Sequence, residues 1–117
     1  MRLGHFIVMG VVFSMIGCTP AGRGRLRSDD IRVVSATYGP NCNVRRGNVT
    51  ARVADFCDDR AVCEYRIDVE RLGDPAPGCA KEFYAEYRCG SFGGIRSELV
   101  PAEANGKILR LQCSGVR

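Results

Sequence analysis

Seven cysteines in 117 residues constrain this chain more than any other feature. So high a share is untypical of a reducing compartment and typical of a small exported domain stapled by disulfides. The number is odd, so one cysteine needs a separate explanation. The length allows one small core and no second one. The formal charge of +4 arises from 17 Lys and Arg against 13 Asp and Glu, spread along the chain. Nucleic-acid binders concentrate their basic residues, so no nucleic-acid partner is expected.

The first residues account for the odd cysteine. Arg2 precedes the apolar run from Phe6 to Phe13, and Ser14-Met15-Ile16-Gly17-Cys18 closes it with small residues. That is the layout of a secretory leader over residues 1–17, too short for a stable membrane span. Met15-Ile16-Gly17-Cys18 resembles a bacterial lipobox, in which the cysteine thiol is acylated and becomes the new N-terminus. A cut after Thr19-Pro20-Ala21 is the alternative and would release a soluble periplasmic or secreted protein. Either cut removes Cys18 from the disulfide count and His5 from the mature chain. Residues 18–30 follow as a polar, basic tether carrying Arg23, Arg25 and Arg27, leaving a domain over residues 31–113.

Six cysteines remain: Cys42, Cys57, Cys63, Cys79, Cys89 and Cys113. An even set in an exported chain reads as three disulfides, and spacing alone leaves fifteen pairings open. No Cys-x-x-Cys spacing and no mature histidine are present, so no metal site is expected. A nucleophile elbow, a phosphate-cradling glycine loop and a framed carboxylate pair are also missing, so the chain is not expected to be an enzyme and no cofactor is implied.

The apolar pattern describes a small, disulfide-stapled, β-rich α+β domain with about five antiparallel strands and one or two helices. Ile31 to Tyr38 reads as a strand closed by the turn Gly39-Pro40-Asn41. Val49, Val53, Phe56 and Cys57 share one helical face, with Asn48 as the expected N-cap and an end near Asp58-Asp59. Tyr65, Ile67 and Val69 alternate with charged residues as a half-buried strand. Leu72 to Gly78 is a turn-rich loop stiffened by Pro75 and Pro77. Phe83, Ala85, Tyr87 and Cys89 alternate clearly, and so do Leu109, Leu111 and Cys113, which follow an Asn105-Gly106 hairpin signal.

The stretch CDDRAVCEYRIDVERLGDPAPGCAKEFYAEYRC, from Cys57 to Cys89, resembles the SUEL-type lectin domain, which binds rhamnose or galactose. That family shows a YGR turn, two cysteines six apart, a GDP-x-x-G-x-x-K loop and an aromatic strand ending Y-x-C. Here Tyr38-Gly39 stands at the turn, and Cys57 and Cys63 are six apart. Gly73-Asp74-Pro75 precedes Gly78 and Lys81, and Tyr87-Arg88-Cys89 closes the strand. From Cys57 to Cys89 the register runs without a gap. The chain departs from the family at Pro40, in place of the turn arginine, and at Ala76, where the family's loop has a cysteine that here falls at Cys79. Nothing like the family's first strand precedes Ile31. A similar stretch, Asn105-Gly106-Lys107-Ile108-Leu109-Arg110-Leu111-Gln112-Cys113, occurs at the other end, as in a circular permutation.

The resemblance, so permuted, implies the pairs Cys57 with Cys63, Cys89 with Cys113, and therefore Cys42 with Cys79. It also implies a sugar site built from Tyr38, Asp74, Gly78, Lys81 and Asn105, with Glu103 close by. A carboxylate acceptor and a cationic donor on one loop suit a pair of sugar hydroxyls. Tyr38 is expected to pack its ring on the sugar's C–H face and offer its hydroxyl at the rim. Gly78 is expected to let the backbone approach the ligand. The function implied is carbohydrate binding without catalysis, by a lectin-like lipoprotein of the bacterial cell envelope held at a membrane through Cys18. The alternative is a structural or protein-interaction module of the envelope on the same scaffold.

Overall fold

The computed structural model describes residues 30–113 continuously, together with the isolated Gly4 and Gly10. The expected leader, the acylation site at Cys18 and the tether up to residue 29 lie outside the described residues.

Five strands, all in antiparallel pairs, and two α-helices make up an α+β domain. In chain order they are β1 (Ile31–Tyr38), α1 (Thr50–Cys57), β2 (Val62–Arg66), α2 (Val69–Leu72), β3 (Phe83–Cys89), β4 (Arg96–Val100) and β5 (Ile108–Gln112). One sheet has the order β1-β3-β4, and the second pairs β2 with β5. The central strand β3 turns Phe83, Ala85, Tyr87 and Cys89 into the core and leaves Arg88 outside, as its alternation requires. Leu109 and Leu111 of β5 and Val53 and Cys57 of α1 join them in one buried cluster.

Among the described residues the outer edge of β1 has no strand beside it, and α1 and the residues flanking it satisfy it instead. At one end, Ile31 N–H donates to the Arg60 carbonyl (2.8 Å) and Val33 N–H to Asp58 Oδ1 (2.8 Å). At the other, Ala36 N–H donates to Thr50 Oγ1 (3.0 Å) and Tyr38 N–H to Asn48 Oδ1 (2.9 Å). Such cover removes an edge on which another chain could pair. A bulge between Val33 and Ser35 sits between the two sets of contacts.

Asn48 is therefore not the helix cap that its position suggests. Its side chain holds both backbone groups of Tyr38, since Nδ2 also donates to the Tyr38 carbonyl (3.0 Å), and the capping position falls to Val49, which has no side chain to bond with. Phe56 is likewise not on the buried face. It is 42% exposed and meets Tyr65 edge-on at 5.5 Å.

The alternation from Tyr65 to Val69 overstates the second strand. Ladder pairing ends at Arg66, and Ile67 continues only by bonding to the turn at Gly106 and Lys107. Asp68 then accepts from Glu70 N–H (3.0 Å) and starts α2, which Gly73 ends at φ 79°. A short polar side chain that bonds the backbone ahead of it favours this turn over strand geometry. The Asn105-Gly106 turn exists but joins no hairpin, because β4 and β5 belong to different sheets. Strand β4 carries no apolar alternation: only Val100 of its five residues is buried.

Three disulfides staple the domain. Cys42 is bonded to Cys79, Cys57 to Cys63 and Cys89 to Cys113, with Cα separations of 6.1, 5.3 and 5.4 Å. They mark a chain exported to an oxidising compartment. No helix among the described residues is long and apolar enough to cross a membrane.

Candidate functional site

The loop between α2 and β3 is built around one lysine. Asp74 Oδ1 accepts from the Ala76 N–H (3.1 Å), which folds the loop back on itself at Pro75. Cys79 N–H donates to the Ala76 carbonyl (3.1 Å), and Gly78 supplies the positive φ (80°) that the turn needs. Into this ring Lys81 sends its ammonium group. Nζ lies 2.8 Å from Asp74 Oδ1, 3.0 Å from the Cys79 carbonyl and 3.2 Å from the Ala76 carbonyl. An ammonium has three protons, and three acceptors meet them.

Neighbouring segments fix the ring in place. The Cys42–Cys79 disulfide ties it to the single 3-10 turn Pro40–Cys42 that follows β1. Asn41 clasps the same junction, donating from Nδ2 to the Ala80 carbonyl (2.8 Å) and accepting at Oδ1 from Glu82 N–H (2.9 Å). Gly39, at φ 95°, lets the lysine stem pass: a Cβ there would stand 3.0 Å from Val44 Cγ2 and 3.3 Å from Lys81 Cγ. On the far side, Ala104 N–H donates to the Lys81 carbonyl (3.0 Å) and brings up the segment that carries Glu103.

Tyr38 and Lys81 lie together, with Nζ 5.5 Å from the ring centroid. The ring itself is core. Tyr38 is 2% exposed and packs on Phe83 at 5.9 Å, so the expected stacking of its face on a sugar does not hold in this arrangement. Its hydroxyl is different. No fully buried side-chain oxygen or nitrogen among the described residues lacks a hydrogen-bond partner, and this hydroxyl has none, so the sliver that Tyr38 exposes includes its oxygen.

The electrostatics follow from the contacts. The hydrogen bond from Lys81 holds the Asp74 carboxyl below its ordinary value, with the Ala76 N–H acting the same way. The same bond raises the Lys81 ammonium above its own. Burial pushes the Tyr38 phenol up, the Lys81 charge opposes this, and Asp74 and Glu103 add to it. Glu103 thus bears on both Tyr38 and Lys81, and its backbone sits at φ 37°, a rare conformation for a residue with a side chain.

The pair sets a pH window. A carboxyl lowered by folding stabilises above 3.8 and loses that contribution as the pH falls through its folded value. An ammonium raised by folding stabilises below 10.5 and loses that contribution as the pH rises through its own. Thermal melts across this range are expected to show a shallower acid limb in Asp74→Asn than in the parent. Identical acid limbs would mean that the pair is not linked to folding.

Of the residues expected to bind sugar, Asp74, Gly78 and Lys81 share this loop, and Tyr38, at the end of β1, lies against Lys81. Asn105 does not join them by any hydrogen bond or ion pair among the described residues. Its Oδ1 accepts from Val69 N–H (2.9 Å) and serves the first turn of α2. Lys81 differs from the expectation in role, since its protons are committed to the loop. Asn41 reads in sequence as an ordinary turn residue and carries no signal of its role, whereas Glu103, expected only as a neighbour of Asn105, acts electrostatically on Tyr38 and Lys81. No group of three or more His, Cys, Asp or Glu side chains is placed to hold a metal among the described residues. Compared with models of known families, curated proteins and solved structures, the chain matches none.

Proposed function

We propose that the domain binds carbohydrate as a lectin-like module without catalysis, in a chain anchored to the cell envelope by lipid at Cys18. The observation that carries this reading is the Lys81-centred ring. It fixes one carboxylate, leaves its side chain 40% exposed, and lies within electrostatic reach of Tyr38 and Glu103. Asp74 Oδ1 is taken by Lys81 and by the backbone, which leaves Oδ2 to accept from a sugar hydroxyl. The hydroxyl next to it on the sugar ring meets the Tyr38 oxygen, which both donates and accepts, or the Glu103 carboxylate. Lys81 acts as a positioning residue for binding: it orients Asp74 and keeps the loop closed. The Cys89–Cys113 bridge supports the permuted relation to SUEL-type lectins, in which the last strand stands in for the family's first. A single open site of this kind binds at about millimolar Kd, and many copies on one surface raise the avidity.

A glycan array read with the parent chain, Asp74→Ala and Tyr38→Phe tests the reading. The parent is expected to bind rhamnose- or galactose-like glycans, and Asp74→Ala to weaken that binding about tenfold or more, as the loss of a bond to a charged group does. Tyr38→Phe removes only the exposed oxygen, so it is expected to weaken binding while leaving the melting temperature in place. No binding by the folded parent, or binding indifferent to Asp74→Ala, overturns the lectin reading and leaves the protein-interaction module.

A further inference from the structure

The turn between β3 and β4 puts an aromatic side chain wholly in solvent. Phe92 is 101% exposed, and Ile95 after it is 52% exposed. The turn that presents them is tight, since a side chain at Gly93 would collide with the Cys89 carbonyl, and Gly90 takes φ 73°. A cavity of about 440 Å³ opens against it, lined by the turn itself and by Arg96. One exposed apolar residue needs no explanation by itself. Its position and its charged neighbours supply the argument.

The chain enters the domain beside this turn: Gly90 N–H donates to the Asp30 carbonyl (2.7 Å), and Cys113 is bonded to Cys89 at its base. Cys18 stands twelve residues before Asp30 in sequence, a reach of at most about 43 Å. A chain held by lipid at Cys18 therefore keeps this end of the domain within about 43 Å of its membrane. The same end is basic. Arg88 and Arg32 stand directly opposite each other on β3 and β1, a like-charge pair that is unfavourable until an anion answers it. Asp59 approaches Arg32 at 3.6 Å but not Arg88. Arg96 opens β4 on the other side of the turn, and the sequence before the domain adds Arg23, Arg25 and Arg27 against Asp29 and Asp30.

We propose that the Phe92 turn is a membrane-interface contact: Phe92 and Ile95 enter the boundary between headgroups and acyl chains of an anionic bilayer, and Arg88 and Arg96 meet the lipid phosphates. An aromatic at the boundary with cations around it is the chemistry such surfaces select. The contact holds the tethered domain in one orientation, with the entry end toward the bilayer. It rests on the lipid-anchored reading above.

The chain contains no tryptophan, so Phe92→Trp gives a single reporter at the tip. The full chain carrying it is mixed with phosphatidylglycerol-containing vesicles and with pure phosphatidylcholine vesicles, then sedimented and read by fluorescence. On the anionic vesicles, the emission of the Phe92→Trp variant is expected to move to shorter wavelength and to be quenched by brominated acyl chains. The control variant Leu99→Trp, at a position 53% exposed on β4, is expected to keep aqueous emission. Arg88→Gln and Arg96→Gln are each expected to reduce the turn's partitioning about fivefold. A Phe92→Trp chain that sediments while its indole keeps aqueous emission overturns the turn's role and leaves the anchor standing. A chain that stays in the supernatant overturns the anchor and the proposal with it.

Discussion

Replacing Cys42 and Cys79 together by alanine is expected to lower the unfolding free energy by about 4 kcal/mol, the largest loss among the three disulfides. The bridge closes the longest loop, with a sequence separation of 37 against 24 for Cys89–Cys113 and 6 for Cys57–Cys63. On chain entropy alone the three are worth about 4, 3.5 and 2.4 kcal/mol. A small domain's whole stability is of the order of 5–15 kcal/mol, so the first loss is a large part of it. The bridge also ties the Asp74–Lys81 ring to the turn after Tyr38. Asn41 remains to clasp that junction with two hydrogen bonds, but it cannot hold Cys79 itself. Carbohydrate binding is therefore expected to fail in this variant even where circular dichroism shows it folded. Urea unfolding of the three double-alanine variants checks the order. If the Cys42 and Cys79 variant loses no more than the Cys57 and Cys63 variant, the loop is not held by this bridge.

What the sequence made legible depends on whether a residue's environment is set by its near neighbours. Strands β1 and β3 were readable because their buried residues alternate or run together within the strand, and the β5 leucines alternate in the same way. Strand β4 was not, because four of its five residues face solvent and only its pairing with β3 makes it a strand. Asn48 and Asn105 both carry the local signature of a cap or a turn, yet each bonds a backbone remote in sequence, at Tyr38 and at Val69. Lys81 is the clearest case. A lysine in a polar loop reads as an exposed donor, and its burial follows from three acceptors that exist only after residues 74–79 have turned back on themselves. The disulfide pairs had a different source, since spacing left fifteen pairings open and the family resemblance selected among them.

Phe83→Ala is expected to cost about 3–5 kcal/mol, the usual range for removing a buried aromatic from a core that cannot collapse around the gap. Phe83 is 0% exposed and opens β3, with Tyr38 on one side of it in register and Val100 on the other. Its ring stands 5.9 Å from that of Tyr38 and 6.3 Å from that of Tyr65, so it joins the three-stranded sheet to β2. Phe83→Leu keeps most of the volume and is expected to lose less than about 1.5 kcal/mol. Urea unfolding with the disulfides intact measures both, with the slope against denaturant as the check that the transition stays two-state. Equal losses for alanine and leucine would show that the ring contacts, which both variants lose, set the cost and the removed volume does not. The substitution also reaches the site: without Phe83 against it, the Tyr38 ring is free to tilt away from Lys81. Phe83→Ala is thus expected to weaken carbohydrate binding at least as much as Tyr38→Phe does, although Phe83 is fully buried and touches no ligand. The three disulfides make this measurable, because a cross-linked chain retains its fold after a loss that would unfold an uncross-linked domain of this size.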